Sequence, residues 1–235
     1  MQISPDETVL WAWRAFRLNA TILYTWVVMA VLVLGAHLAT RRVSPTMRPG
    51  RWQSLLEVLV SGMRDQIREV SQHAPGSYLP FVGTLFLFIA TSNVLAVVPG
   101  FTPPTGSLST TTALALCVLI AVPLYGIAER GLVAYLRSYV RPTPFMLPFN
   151  IIGEMSRTVA LAVRLYGNVM SGTVIAAILL SIVPFFFPIV MQVLGLLTGL
   201  IQAYIFAVLA MVYIASATRT HAGQSREAGE PDELR

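Results

Sequence analysis

Residues 145–183 read FMLPFNIIGEMSRTVALAVRLYGNVMSGTVIAAILLSIV, an apolar run interrupted by Glu154, Arg157 and Arg164. Beyond Arg164 no Asp, Glu, Lys, Arg or His occurs until Arg219. Such a run reads as one long helix. At 1.5 Å per residue it measures ~58 Å, against a hydrocarbon core of ~30 Å, so it must lean strongly or project from the bilayer. A guanidinium keeps its charge at every accessible pH. Arg164 therefore cannot escape a low dielectric by going neutral, and insertion scales put the cost at roughly 2.5–3.5 kcal/mol. A permanent charge kept there faces protein or water rather than lipid, and by default it is functional.

The segments on either side extend the pattern. Residues 186–217 form a second long apolar run, separated from the first by Pro184 and Pro188 around Phe185-Phe186-Phe187. Upstream, apolar stretches at about 18–39, 78–98 and 111–128 are each long enough to span. The stretch 52–70 alternates apolar and charged residues at helical spacing and suits an interfacial helix. The loop Pro99-Gly100-Phe101-Thr102-Pro103-Pro104-Thr105-Gly106 is turn-rich and uncharged. It lacks the basic residue of a phosphate cradle and reads as a plain turn. The fold class expected is an all-α membrane protein with about five transmembrane helices and one interfacial helix, the last two long and strongly tilted as a hairpin. Residues 1–217 form a single helical membrane domain, and 218–235 a polar tail.

Composition agrees. The chain is 55% hydrophobic and 11% charged, with a mean hydropathy of +0.69; soluble domains carry about 25% charged residues. Long runs without alternation exclude a barrel. All 16 basic residues are Arg. The single Cys117 excludes an internal disulfide, and His37, His73 and His221 lack ligand spacing. No metal, cofactor or nucleic-acid site is expected. The start, Met1-Gln2-Ile3-Ser4-Pro5-Asp6-Glu7, lacks a basic leader followed by an apolar core, so the first apolar segment is expected to remain as an anchor. The loop arginines concentrate in 40–76 and 129–145, and Arg219, Arg226 and Arg235 lie in the tail. The positive-inside rule places these regions and the C-terminus in the cytoplasm, with the N-terminus outside. Arg14 and Arg17 count mildly against this, offset in part by Asp6 and Glu7.

Arg157 and Arg164 are seven residues apart and share a helix face, with Glu154 three residues before Arg157. Asn168 and Ser171 continue the stripe. A line of polar groups through a membrane can wet an ion path. On the last segment Gln192, Thr198 and Gln202 are the polar groups, while Gly195 and Gly199 allow close helix approach. Plainer readings stand beside these. Glu154 and Arg157 also suit a simple ion pair or an interfacial position. Asn168, Thr198 and Gln202 also suit interhelical hydrogen bonding.

At these residues the chain resembles subunit a of the F-type ATP synthase. The likeness centres on Glu154-Met155-Ser156-Arg157-Thr158 leading to Arg164-Leu165-Tyr166-Gly167-Asn168, and on Gln202-Ala203-Tyr204-Ile205-Phe206 with Tyr213. Asn93, Pro99 and the 110–116 run match more weakly. The family writes Arg-Leu-Phe-Gly-Asn and a Gln-Ala-Phe-Ile-Phe-like segment. Its invariant arginine carries over to Arg164, its channel asparagine to Asn168 and its glutamine to Gln202. There are departures. Thr173 stands where many relatives carry Glu, Gly195 replaces a histidine, Asn150 a frequent Glu, and Ser107-Leu108-Ser109 an Asp-Leu-Asn. This loss of carboxylates, with the short N-terminus, is similar to the N-type branch, often associated with sodium.

The resemblance implies a non-catalytic, ion-conducting stator in a bacterial plasma membrane. Its partners would be a ring of c subunits, b-type peripheral stalk subunits, membrane lipid and a translocated proton or sodium ion. Arg164 would discharge the ring carboxylate, and 145–217 would be the ion-translocating hairpin. Asn168, Ser171, Thr173 and Gln202 are candidates for the outer half-channel; Glu154, Arg157 and Ser156 are candidates nearer the cytoplasm. The rival from another class is a secondary transporter or permease, whose signature is internal repeats and broken helices. An intramembrane enzyme finds no nucleophile–base pairing to support it.

Overall fold

The computed structural model describes residues 9–13, 16–40, 61–62, 64–65, 78–98, 100–140, 145–182 and 187–218. Strands β1 (Val9–Trp13) and β2 (Phe16–Asn19) pair antiparallel, with Ala12 opposite Arg17. The hydropathy pattern did not anticipate this ribbon. Helices α1 (Ala20–Thr40), α2 (Leu79–Leu95), α3 (Leu108–Arg130), α4 (Leu132–Val140), α5 (Met146–Ile182) and α6 (Phe187–Thr218) follow. Of the expected interfacial helix over 52–70, only 61–62 and 64–65 lie among the described residues, and these are helical. The expected polar tail beyond Thr218 lies outside them.

Among the described residues, four helices carry windows long and apolar enough to cross a membrane: Ala20–Leu38, Leu108–Glu129, Leu147–Ser181 and Ile189–Thr218. The fifth apolar helix, α2, has 17 residues and is ~25 Å long. Helices apolar on every side belong in a protein interior or in lipid. Here Trp26, Val33, Leu34 and Leu38 of α1 are exposed on the chain, as a lipid-facing surface requires.

The core lies where α2, α3, α5 and α6 meet. Ile89, Ala115, Val118, Leu161, Leu165, Phe206 and Ile214 are all fully buried there. On α6 the residues Gly199, Ala203, Ala207 and Ala210 recur at helical spacing, and all are buried. Small residues let backbones approach closely in a membrane, and α2 packs principally on this face. Asn93 of α2 crosses the gap: its Nδ2 donates to Gly199 O at 3.0 Å and to Ile89 O at 3.0 Å.

Two local breaks shape the rest. Gly131 adopts φ 79°, a backbone that favours glycine, and it ends α3. The chain then enters α4, where a polar connection was expected. Leu132, Tyr135 and Leu136 explain the helix: the spacing is amphipathic, and Tyr135 is buried against Gly126, where a Cβ would stand 2.6 Å from the ring. The uncharged loop is more than a turn. Pro104–Gly106 form a buried 3-10 turn that touches α1, α2, α3 and α5. Tyr24 of α1 closes over this loop, donating its OH to Gly100 O at 3.0 Å and packing edge-on to Phe101 at 4.9 Å. At the opposite end of the bundle, Tyr78 donates its hydroxyl to Glu129, tying the start of α2 to the end of α3.

Candidate functional site

Arg164 is the central residue of the 37-residue α5. Its neighbours Leu161 and Leu165 turn into the core, which leaves Arg164, with Val159 and Val163, on the outward face. It makes no hydrogen bond, ion pair or ring contact with any described residue. Only 6% of the apolar window of α5 is buried within this chain. The helix must therefore be covered by something else along most of its length.

The register of the hairpin comes from one contact. Asn168 Nδ2 donates to Thr198 O at 3.3 Å. In an antiparallel pair, a step of one turn back on one helix matches a step of one turn forward on the other. That brings Arg164 level with Gln202. Gln202 is one of the two central residues of the 32-residue α6. It is only 6% exposed, and its Nε2 has no hydrogen-bond partner among the described residues. A buried donor left unpaired costs about 1–3 kcal/mol. Gln202→Leu removes that cost. It is expected to leave thermal stability equal or higher and yet to slow ion transport, though less than loss of Arg164 does; unchanged transport would make Gln202 a packing residue.

A cavity of about 380 Å³ opens beside the uncharged loop, between α2, α5 and α6. Its wall includes Asn93, Thr102, Asn168, Thr173, Gln192 and Thr198. Of the four expected outer residues it takes Asn168 and Thr173. Ser171 is exposed, its hydroxyl donating to Asn168 O at 3.2 Å, and Gln202 lies one turn further in. Sequence pattern alone assigned no role to Gln192, although Gln192, Gly195, Gly199 and Gln202 fall on one helix face at i, i+3, i+7 and i+10. Gly195 has open space where its Cβ would stand.

Toward the other end the expected stripe residues meet different neighbours. Glu154 is half-buried and lines a separate, apolar cavity of about 720 Å³ between α3, α4 and α5, with Pro123, Tyr135 and Ile151. Arg157 places its guanidinium 5.6 Å from the centre of the Tyr213 ring, a cation–π distance. Ser156 is exposed. Glu154 thus faces the α3–α4 side, while Arg157 and Arg164 are both exposed on α5 and the Arg157 side chain reaches α6.

Residues 22–215 match the family model described as ATP synthase A chain. The chain belongs to the ATP synthase subunit a family. It is 62% identical over 219 residues to ATP synthase subunit a 2 of Acaryochloris marina, covering 93% of this chain and 94% of that one. It is 61% identical over 220 residues to ATP synthase subunit a 1 of Chlorobaculum parvum, covering 94% and 97%. To ATP synthase subunit a of Nitrosospira multiformis it is 55% identical over 235 residues, covering 99% and 94%. With its several membrane-spanning helices, this member of the family is a multi-pass membrane protein of an ATP synthase complex, concerned with ion transport and ATP synthesis.

Proposed function

We propose that the chain is the ion-conducting stator of the membrane sector, set against a ring of c subunits and held by b-type peripheral stalk subunits. A single observation carries the reading: a permanent cation at the middle of α5, exposed and without a partner among the described residues. A lipid-facing Arg at that depth is costly, whereas a passing carboxylate makes it favourable. An opposite charge at ~4 Å and an effective dielectric of ~20 is worth about 4 kcal/mol, which is about three pKa units. That is enough to move a neutralised ring carboxylate to its ionised form and release its proton or sodium ion. The same charge repels a free cation trying to pass straight through. The cavity with Asn168 and Thr173 serves as the outer half-channel, extended by Ser171 and Gln202; Glu154, Ser156 and Arg157 serve the cytoplasmic one. The arginine-rich connections support a cytoplasmic C-terminus and an external N-terminus in a bacterial inner membrane.

Cysteine cross-linking tests this. With exposed Cys117 first replaced by Ala, Val163→Cys on the outward face should form a disulfide adduct with cysteines on a co-purifying c ring. Leu161→Cys, which is buried, should form none. A chain that purifies without a ring, or whose position 163 never reaches it, overturns the reading.

A further inference from the structure

The cavity beside the uncharged loop carries three amide side chains from three helices, and each has its nitrogen committed. Asn93 Nδ2 donates to Ile89 O and Gly199 O, Asn168 Nδ2 to Thr198 O, and Gln192 Nε2 to Ala96 O at 3.3 Å and Val97 O at 3.0 Å. A backbone carbonyl can only accept, so chemistry decides which way each amide is turned. Each amide oxygen is left over, and none accepts a hydrogen bond among the described residues. The wall hydroxyls behave alike. Thr198 Oγ1 donates to Leu194 O and Gly195 O, and Thr173 Oγ1 to Met170 O, so both keep acceptor lone pairs.

The remaining wall residues are apolar apart from Thr102, and no titratable side chain is among them. Neutral rings of oxygen acceptors replace the hydration shell of a cation. They offer a cation many acceptors and an anion few donors, and they have no carboxylate with which to take up a proton.

We propose that Gln192, with Asn93, is a specificity-determining residue of the outer ion path, making this cavity a neutral vestibule that solvates a cation through amide and hydroxyl oxygens. This rests on the stator reading, in which the cavity lies on the ion's route. Gln192 is the sensitive member, because its amide has two functions: its nitrogen holds the carbonyl end of α2, and its oxygen faces the route. A carboxylate in its place would set oxygen against the carbonyls of Ala96 and Val97. It would turn away from them and bring a titratable group to a wall that has none.

The test uses the whole ATP synthase in liposomes, with ion flux driven by a potassium diffusion potential and followed from pH 6 to 9. Gln192→Met keeps the length of the side chain without its polar atoms, and flux should fall at least ~10-fold, a loss of transition energy of about 1.4 kcal/mol. Gln192→Glu should conduct better than Gln192→Met and show a pH-dependent step that neither the native complex nor Gln192→Met shows. Native flux in Gln192→Met overturns the proposal. So do equal losses in both variants with unchanged pH profiles, since a mere tie between α2 and α6 predicts that. If Gln192→Met fails to assemble, Gln192→Glu decides alone, and a pH profile like the native one overturns the proposal. Arg164→Ala is run beside them. If it pumps normally, the stator reading itself fails; if it is inactive while Gln192→Met is normal, only the vestibule fails.

Discussion

Arg164→Ala is expected to abolish ATP-driven pumping and ion-driven ATP synthesis while leaving the chain folded and assembled, with a passive ion leak in their place. The fold is spared because the guanidinium has no partner among the described residues and stands on the outward face; surface truncations of that kind stay within about 0.5 kcal/mol. Function is lost because nothing nearby replaces the charge. The next cation on α5, Arg157, is two turns away and engaged with Tyr213. On the proposed stator reading, without a fixed positive group a ring carboxylate would have no reason to ionise at the interface, and a free cation would meet no barrier between the two half-channels. ATP-driven acidification and passive flux in reconstituted liposomes measure both effects. Normal pumping by the variant refutes the assigned role.

The second large effect is structural. Gly199→Ala places a methyl group 2.7 Å from Asn93 Cγ and 3.0 Å from its Cβ. Neither atom is the free end of a flexible chain, because the Asn93 amide is anchored on Gly199 O and Ile89 O. Overpacking of this kind costs about 1–3 kcal/mol, and separation of α2 from α6 also strips the interhelical hydrogen bond. Thermal unfolding of the detergent-solubilised complex should move down sharply. Gly195→Ala, one turn earlier and facing open space, should move it little. Asn93→Ala added to Gly199→Ala removes Cγ and Oδ1, the two nearest clashing atoms, and leaves only Cβ, so the double variant should be less destabilised than the two single losses added together. Simple additivity would mean the contact is not where the cost arises.

Much of this architecture was legible in the chain because the strongest signals are one-dimensional. Long apolar runs mark α1, α3, α5 and α6, paired prolines separate the last two, and an Arg at the head of an uncharged run marks the centre of α5. Helical periodicity put Asn168 beside Arg164's turn, and the structure brings Asn168 onto Thr198 of α6. The same periodicity, extended over several turns, joined Glu154, Arg157 and Arg164 into one stripe. Periodicity could not supply their neighbours, the residues of α3 and α4 around Glu154 and Tyr213 of α6 beside Arg157, because these are remote in sequence. Helix α4 escaped notice because nine residues are too few for a hydropathy window, although Tyr135 against Gly126 stabilises them. The buried loop at Thr105 and the amide wall of the cavity depend on contacts such as Gln192 with Ala96, 96 residues apart. No local pattern contains such a pairing.

The length of α5 has a geometric consequence. A rod longer than the sheet it crosses either projects from it or stands obliquely, and obliqueness turns a difference in height along the rod into a difference of place in the plane of the sheet. Openings near its two ends then lie at separate stations along the track of any wheel rolling past its side. An entrance and an exit that do not coincide are what distinguish a turnstile from a hole, and under the proposed stator reading an oblique α5 would set them apart.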